Sequence, residues 1–148
     1  MIVDASVWVA IFRDNDIHHG GSVSFLDAVV TKQQDLHIPN SALAEIAGVF
    51  ARQTGKARLA TRTVRAVLAL PRVQRHALND VLADRAAALA ARCKLCGADA
   101  VYVALAEALD QPLITLDQEI LDRSSGIIGT STPSSWVHDQ SGGAISRS

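Results

Sequence analysis

"MIVDASVWVAIF" (residues 1–12) opens the chain, and its reading decides the fold. Three apolar residues are followed by Asp4, and eight mostly apolar residues come next. Residues 1–4 suit a short buried strand. "ASVWVAIF" then turns into a short helix entered near Ser6. A strand that passes at once into a helix is the repeating step of parallel α/β proteins. The carboxylate at the junction is the anomaly. An ionised carboxylate is costly to bury unless it is paired or holds a cation, and no basic residue stands near Asp4 in the sequence.

The same alternation continues outward from this start. "DLHIP" (35–39) reads as a second strand, stopped by Pro39. "RVQRHAL" (72–78) reads as a third, "QPLITLD" (111–117) as a fourth and "GIIGT" (126–130) as a fifth. Helical patterning fills the intervals. Residues 21–32 are amphipathic, and Leu43, Ile46, Ala47 and Phe50 repeat at helical spacing up to Gly55. Residues 56–70 form a helix closed by Pro71. Asn79 suits the N-cap of the next, and 97–110 is a strongly apolar helix. Short strands between helices predict an α/β fold with a parallel sheet covered on both faces.

Composition sets the bounds. The chain has 148 residues, of which 49% are hydrophobic, and a net charge of −1. That suits one domain with one core, expected over 1–138, with a disordered polar tail at 139–148. Trp136 is expected to pack against the domain. The overall charge points to neither nucleic acid nor membrane, and no run approaches the roughly 20 apolar residues of a membrane span. With no basic leader, a cytoplasmic protein is expected. Cys93 and Cys96 form a C-x-x-C. No second pair completes a four-ligand zinc site, and no strand adjoins it as a redox motif requires. Two thiols in a reducing compartment is the reading that remains.

In parallel α/β sheets, ligands bind beyond the carboxyl ends of the strands, at the point where the strand order reverses. Asp4 ends the first strand and Asp117 the fourth. Glu45 is the one charged residue in "SALAEIAGVFA" (41–51), and Asp99 the one in "CGADAVYVALA" (96–106). Simpler roles exist for three of them. Asp117 can cap the helix at 118, Asp99 can cap the helix after Gly97, and Glu45 can face solvent. Four converging acids without a cation would repel and raise one another's pKa values. With Mg²⁺ or Mn²⁺ they become ligands, because hard oxygen donors suit those ions. Ser6 and Thr115, each two residues from a strand-end acid, can steady the carboxylates with their hydroxyls.

Four pieces in order, "IVDASVWVAIF", "PNSALAEIAGVF", "GADAVYVALAEAL" and "PLITLDQEIL", resemble the PIN domain. Within it they resemble the VapC-like ribonuclease toxins of toxin–antitoxin pairs. The resemblance spans nearly the whole chain. It implies a three-layer α/β/α fold with a central parallel sheet in the order 3-2-1-4-5. It implies an Mg²⁺ or Mn²⁺ site at Asp4, Glu45, Asp99 and Asp117, with Ser6 matching the small hydroxyl residue after the first acid. It also implies an RNA substrate, a cognate VapB-like antitoxin and a homodimer.

Residues 46–79 contain no acid and seven of the fourteen basic residues. Arg58, Arg62 and Arg65 fall on one stripe of a helix, which suits phosphate, an acidic antitoxin segment or simply solvent. Asp14, Asp16, His18 and His19 surround Gly20 and read as an exposed turn. Two further functional classes remain. A phosphoacceptor receiver domain also gathers acids and Mg²⁺ at strand ends, but "GIIGTSTPSSW" lacks the lysine it needs. A non-catalytic PIN-fold binding module has no use for four intact acids.

Overall fold

The computed structural model describes residues 1–142. In chain order the elements are β1 (Ile2–Val3), α1 (Ala5–Ile11), α2 (His19–Thr31), β2 (Leu36–Pro39), α3 (Ser41–Thr54), α4 (Ala57–Ala69) and β3 (Val73–His76). They continue with α5 (Asp80–Cys93), α6 (Gly97–Leu109), β4 (Leu113–Ile114), α7 (Gln118–Arg123), β5 (Thr130–Ser131) and α8 (Pro133–Gly142). Local chemistry marks several boundaries. Gly55 ends α3 at a φ of +66°, which glycine adopts without strain. The Asn79 side chain accepts the Leu82 amide at 2.9 Å and caps α5.

All strand pairs are parallel, and the sheet order is β3-β2-β1-β4-β5. The chain builds β1, β2 and β3 in one direction, then returns across the sheet to β4 and β5. Right-handed crossovers therefore put α1–α4 on one face and the α5–α6 pair on the other. Contacts agree: α1 packs on α2 and α3, α3 on α4, and α6 on α5, β1, β2 and β4. This is the three-layer arrangement the resemblance implied. It excludes the receiver alternative, whose doubly wound sheet runs 2-1-3-4-5.

The core explains the apolar runs. β1 is central and wholly buried, and Trp8 of α1 lies at 0% exposure beneath it. Residues 100–106 of α6 are all buried, which is why that helix is apolar all round. The order of the strands also fixes a switch point between β1 and β4. Val3 is in register with Ile114, and the Asp4 amide donates to the Ile114 carbonyl at 3.0 Å. The residues that follow both strands therefore emerge side by side.

The C-terminal region differs from expectation. The "STPSSWVHDQSG" stretch is polar, yet Pro133–Gly142 is helical, past the expected boundary at 138. Trp136 holds it: its ring meets Phe25 of α2 edge-on at 5.3 Å, with the Lys32 ammonium 5.6 Å above the ring. Residues 143–148 of the expected tail lie outside the described residues. No helix among the described residues is long and apolar enough to cross a membrane. Cys93 and Cys96 are both free thiols, at the end of α5 and the start of α6.

Candidate functional site

A cleft of about 350 Å³ opens at the carboxyl ends of β1 and β4. Asp4, Glu45, Asp99 and Asp117 all line it, together with Ser6. The site is built from four segments: the β1–α1 junction, α3, the first turn of α6, and the β4–α7 junction.

Asp4 is the deepest of the acids, at 5% exposure. It begins α1 as its N-cap, and its Oδ2 accepts three hydrogen bonds. The donors are the Ser6 amide, the Ser6 hydroxyl, and the Thr115 hydroxyl at 2.9 Å. Each hydroxyl is itself oriented by a backbone donor. The Leu116 amide donates to Ser6 Oγ at 3.1 Å, and the Asp117 amide to Thr115 Oγ1 at 3.0 Å. With those lone pairs occupied, both hydroxyl protons point at Asp4. The network favours the charged carboxylate, whereas burial opposes it. Burial prevails, and the Asp4 pKa lies above the ordinary carboxylate range.

Glu45 comes from the middle of α3 and is half-buried. Tyr102 of α6, fully buried, donates to its Oε2 at 3.3 Å. Burial first, then the charges of Asp4 and Glu45, push the Tyr102 phenol far above its usual value. It therefore stays a donor. Glu45 Oε1 is buried and has no hydrogen-bond partner. Burial, and next the Asp4 charge, raise the pKa of Glu45. Asp99 sits in the first turn of α6, not at its cap, which is Cys96. Burial is the main cause of its raised pKa, with the charge of Asp117 adding to it. Asp117 does perform the simpler role as well: its Oδ1 accepts the Glu119 and Ile120 amides at 2.8 and 3.2 Å and caps α7.

No ion pair among the described residues includes any of these four acids. Nor do any three of them close into a ready-made ligand cluster among the described residues. These four residues offer carboxylate oxygen only, spread around an open cleft, with one buried oxygen lacking a partner. That chemistry fits a hard divalent cation that keeps several of its waters. A soft-metal site would require thiolate or imidazole donors.

A family model described as PIN domain matches residues 1–125. The chain belongs to the PIN-domain family. Solved structures similar to this PIN domain include Mycobacterium tuberculosis VapC20, a toxin described as cleaving the sarcin-ricin loop. It is 19% identical, covering 86% of this chain and 95% of that one, with a TM-score of 0.70. A toxin–antitoxin complex from Klebsiella pneumoniae is 22% identical over 89% of this chain and 96% of its own, with a TM-score of 0.65. FitAcB from Neisseria gonorrhoeae is 20% identical over 89% and 96%, with a TM-score of 0.68. At these identities the likeness is one of fold. No curated protein matches the chain by sequence.

Two residues of the PIN domain's cleft were not expected there. Asp16 and His18, on the loop between α1 and α2, line it as well. Nothing in the spacing of "RDNDIHHGG" reveals that, because it depends on how far the loop folds back over α1. Arg58, Arg62 and Arg65 are exposed on α4 and do not line the acid cleft. Arg58 and Arg62 flank a separate shallow cleft of about 680 Å³ beside Leu59. A third cleft of about 450 Å³, near Gln111 and Pro112, lies at the amino end of β4, away from the switch point.

Proposed function

We propose that this PIN domain is a metal-dependent endoribonuclease that acts as the toxin of a toxin–antitoxin pair. It would cut RNA phosphodiester bonds in the cytoplasm and so inhibit translation and growth. The observation that carries the reading is the set of four carboxylates facing one cleft at the switch point with no basic partner. A non-catalytic module would gain nothing from keeping three raised pKa values and an unpartnered buried oxygen.

In this reading Asp4 and Asp99 are the chief ligands of Mg²⁺ or Mn²⁺, Asp117 completes the pocket, and Glu45 helps hold the cation. When bound, the cation supplies Lewis-acid activation of water and offsets charge on the phosphate. Ser6 and Thr115 orient Asp4 by locking one of its oxygens. Glu45, which lines the cleft, would accept a proton from the attacking water, and its raised pKa suits a general base. Tyr102 keeps the other Glu45 oxygen in place. Arg58, Arg62 and Arg65 bind the RNA backbone or an acidic segment of a VapB-like antitoxin. The several toxin–antitoxin complexes of similar fold support such a partner, and a homodimer is the expected assembly.

The test is cleavage of structured RNA by purified protein. Activity should require Mn²⁺ or Mg²⁺, vanish in EDTA, and arrest growth when the protein is expressed. Soluble protein that leaves RNA intact with either cation would overturn the reading. Reversing Arg58 and Arg62 to Glu should weaken RNA or antitoxin binding; unchanged affinity for both removes that role. Thr115→Val tests the support of Asp4. It removes the buried hydroxyl at nearly constant volume, and Mn²⁺ affinity by calorimetry should fall about 10- to 100-fold. Affinity equal to the parent would mean that Ser6 alone orients the carboxylate.

A further inference from the structure

A phosphodiester entering the acid cleft meets Asp4, Asp16, Glu45, Asp99 and Asp117. Carboxylates repel it; the cation of the reading above offsets part of that charge, and a hydrogen-bond donor at the wall would hold a phosphate oxygen besides. Ser6 cannot, because its hydroxyl proton is committed to Asp4. Only one other lining side chain carries an N–H or O–H donor, and that is His18. Its imidazole makes no hydrogen bond to another described residue; its backbone amide does, to Asp16 Oδ1 at 2.9 Å.

The loop that presents His18 is fastened at several points. Asp16 Oδ2 lies 3.6 Å from Arg13, and the His19 amide donates to the Asp16 carbonyl at 3.0 Å. His19 turns inward, with Nδ1 2.9 Å from the Ala10 carbonyl. Two adjacent histidines thus have opposite fates: His19 anchors the loop, and His18 is exposed at the cleft with its ring uncommitted. His18 occupies the N-cap position of α2 but makes no capping hydrogen bond, so the helix does not need its side chain.

We propose that the His18 ring donates a hydrogen bond to a phosphate oxygen of the RNA substrate and so seats the backbone over the acids. This rests on the ribonuclease reading above. The contact needs one N–H, which imidazole carries in either protonation state. It is a binding contact made in ground and transition states alike, so it acts on KM more than on kcat.

The experiment uses a fluorescently labelled RNA hairpin with saturating Mn²⁺. His18→Ala should raise KM about tenfold with little change in kcat, the worth of one hydrogen bond to a charged acceptor. His18→Gln keeps an N–H donor and should stay close to the parent. His18→Glu should raise KM further by adding a sixth carboxylate. Calorimetry with Mn²⁺ alone should give parent affinity for His18→Ala. A parental KM in His18→Ala, a Gln variant as weak as Ala, or a loss of Mn²⁺ binding would each overturn the proposal; the last would make His18 a metal ligand. A parent that cuts no RNA fails the ribonuclease reading itself, whereas a parent that cuts while His18→Ala matches it fails this inference alone.

Discussion

Asp4→Asn is expected to lower kcat for RNA cleavage about a thousandfold, and to leave the metal-free protein as stable as the parent or more so. The first half follows from the role proposed for the carboxylate. Removing a ligand charge gives up several kcal/mol of transition-state stabilisation, and each 1.4 kcal/mol or so is a factor of ten in rate. The second half follows from the surroundings. Asparagine keeps an oxygen to accept from the Ser6 and Thr115 hydroxyls, which reach Asp4 Oδ2 now. It has no charge to desolvate, and desolvation is the largest influence on the buried acid. Asp4→Ala is the informative contrast, because it strands both hydroxyls without an acceptor and should cost stability. Thermal midpoints in EDTA together with cleavage rates decide the matter. An Asn variant that cuts RNA like the parent removes Asp4 from the site. One that loses activity only because it unfolds makes Asp4 a structural cap and nothing more.

The same tension explains why the acids that line the candidate cleft were legible in the sequence. Asp4, Glu45 and Asp99 stand in apolar company, and burying a charge has a cost that core packing does not recover. Their isolation was therefore a signal in itself. Asp117 was not isolated in this way, and it does cap α7 as its simpler reading held. Capping uses Oδ1 alone, so one side chain can both cap α7 and line the candidate cleft. The convergence of Ser6 and Thr115 on a single oxygen depends on strand register. Once β1 and β4 pair with Val3 opposite Ile114, the next residues, Asp4 and Thr115, must meet, but the register is a property of the sheet. The contribution of Asp16 and His18 depends on a loop path that local composition does not encode. The helix at Pro133–Gly142 was hidden for another reason. Its polar residues carry no helical periodicity, and the helix is held through only two apolar side chains, Trp136 and Val137, packed against the core.

Stability should couple to Mn²⁺ in a pH-dependent way. Asp4, Glu45 and Asp99 all have folded-state pKa values above their ordinary values of 3.8, 4.5 and 3.8. The folded protein therefore binds these protons more tightly than the unfolded chain does. Stability from the three acids is fully present below those ordinary values and is lost as pH rises through the raised ones. A cation bound by the same oxygens reverses the loss and competes with the protons. Its effect should be smaller near pH 4.5 than near pH 7.5. At about a hundred times the dissociation constant, the gain is about 2.7 kcal/mol, or roughly 5–10 °C in the midpoint of a domain this size. Glu107 works in the opposite sense: its bond to Arg85 lowers its pKa, so its contribution is lost as pH falls. That change is the same with and without metal and cancels in the difference. Melting curves at the two pH values, each in EDTA and in Mn²⁺, isolate the coupling. An equal gain at both pH values would mean that the cation binds elsewhere than on these three acids. Asp4→Asn should remove most of the gain at pH 7.5, and its survival in full would place the cation on Glu45, Asp99 and Asp117 without the residue that the β1–α1 junction presents.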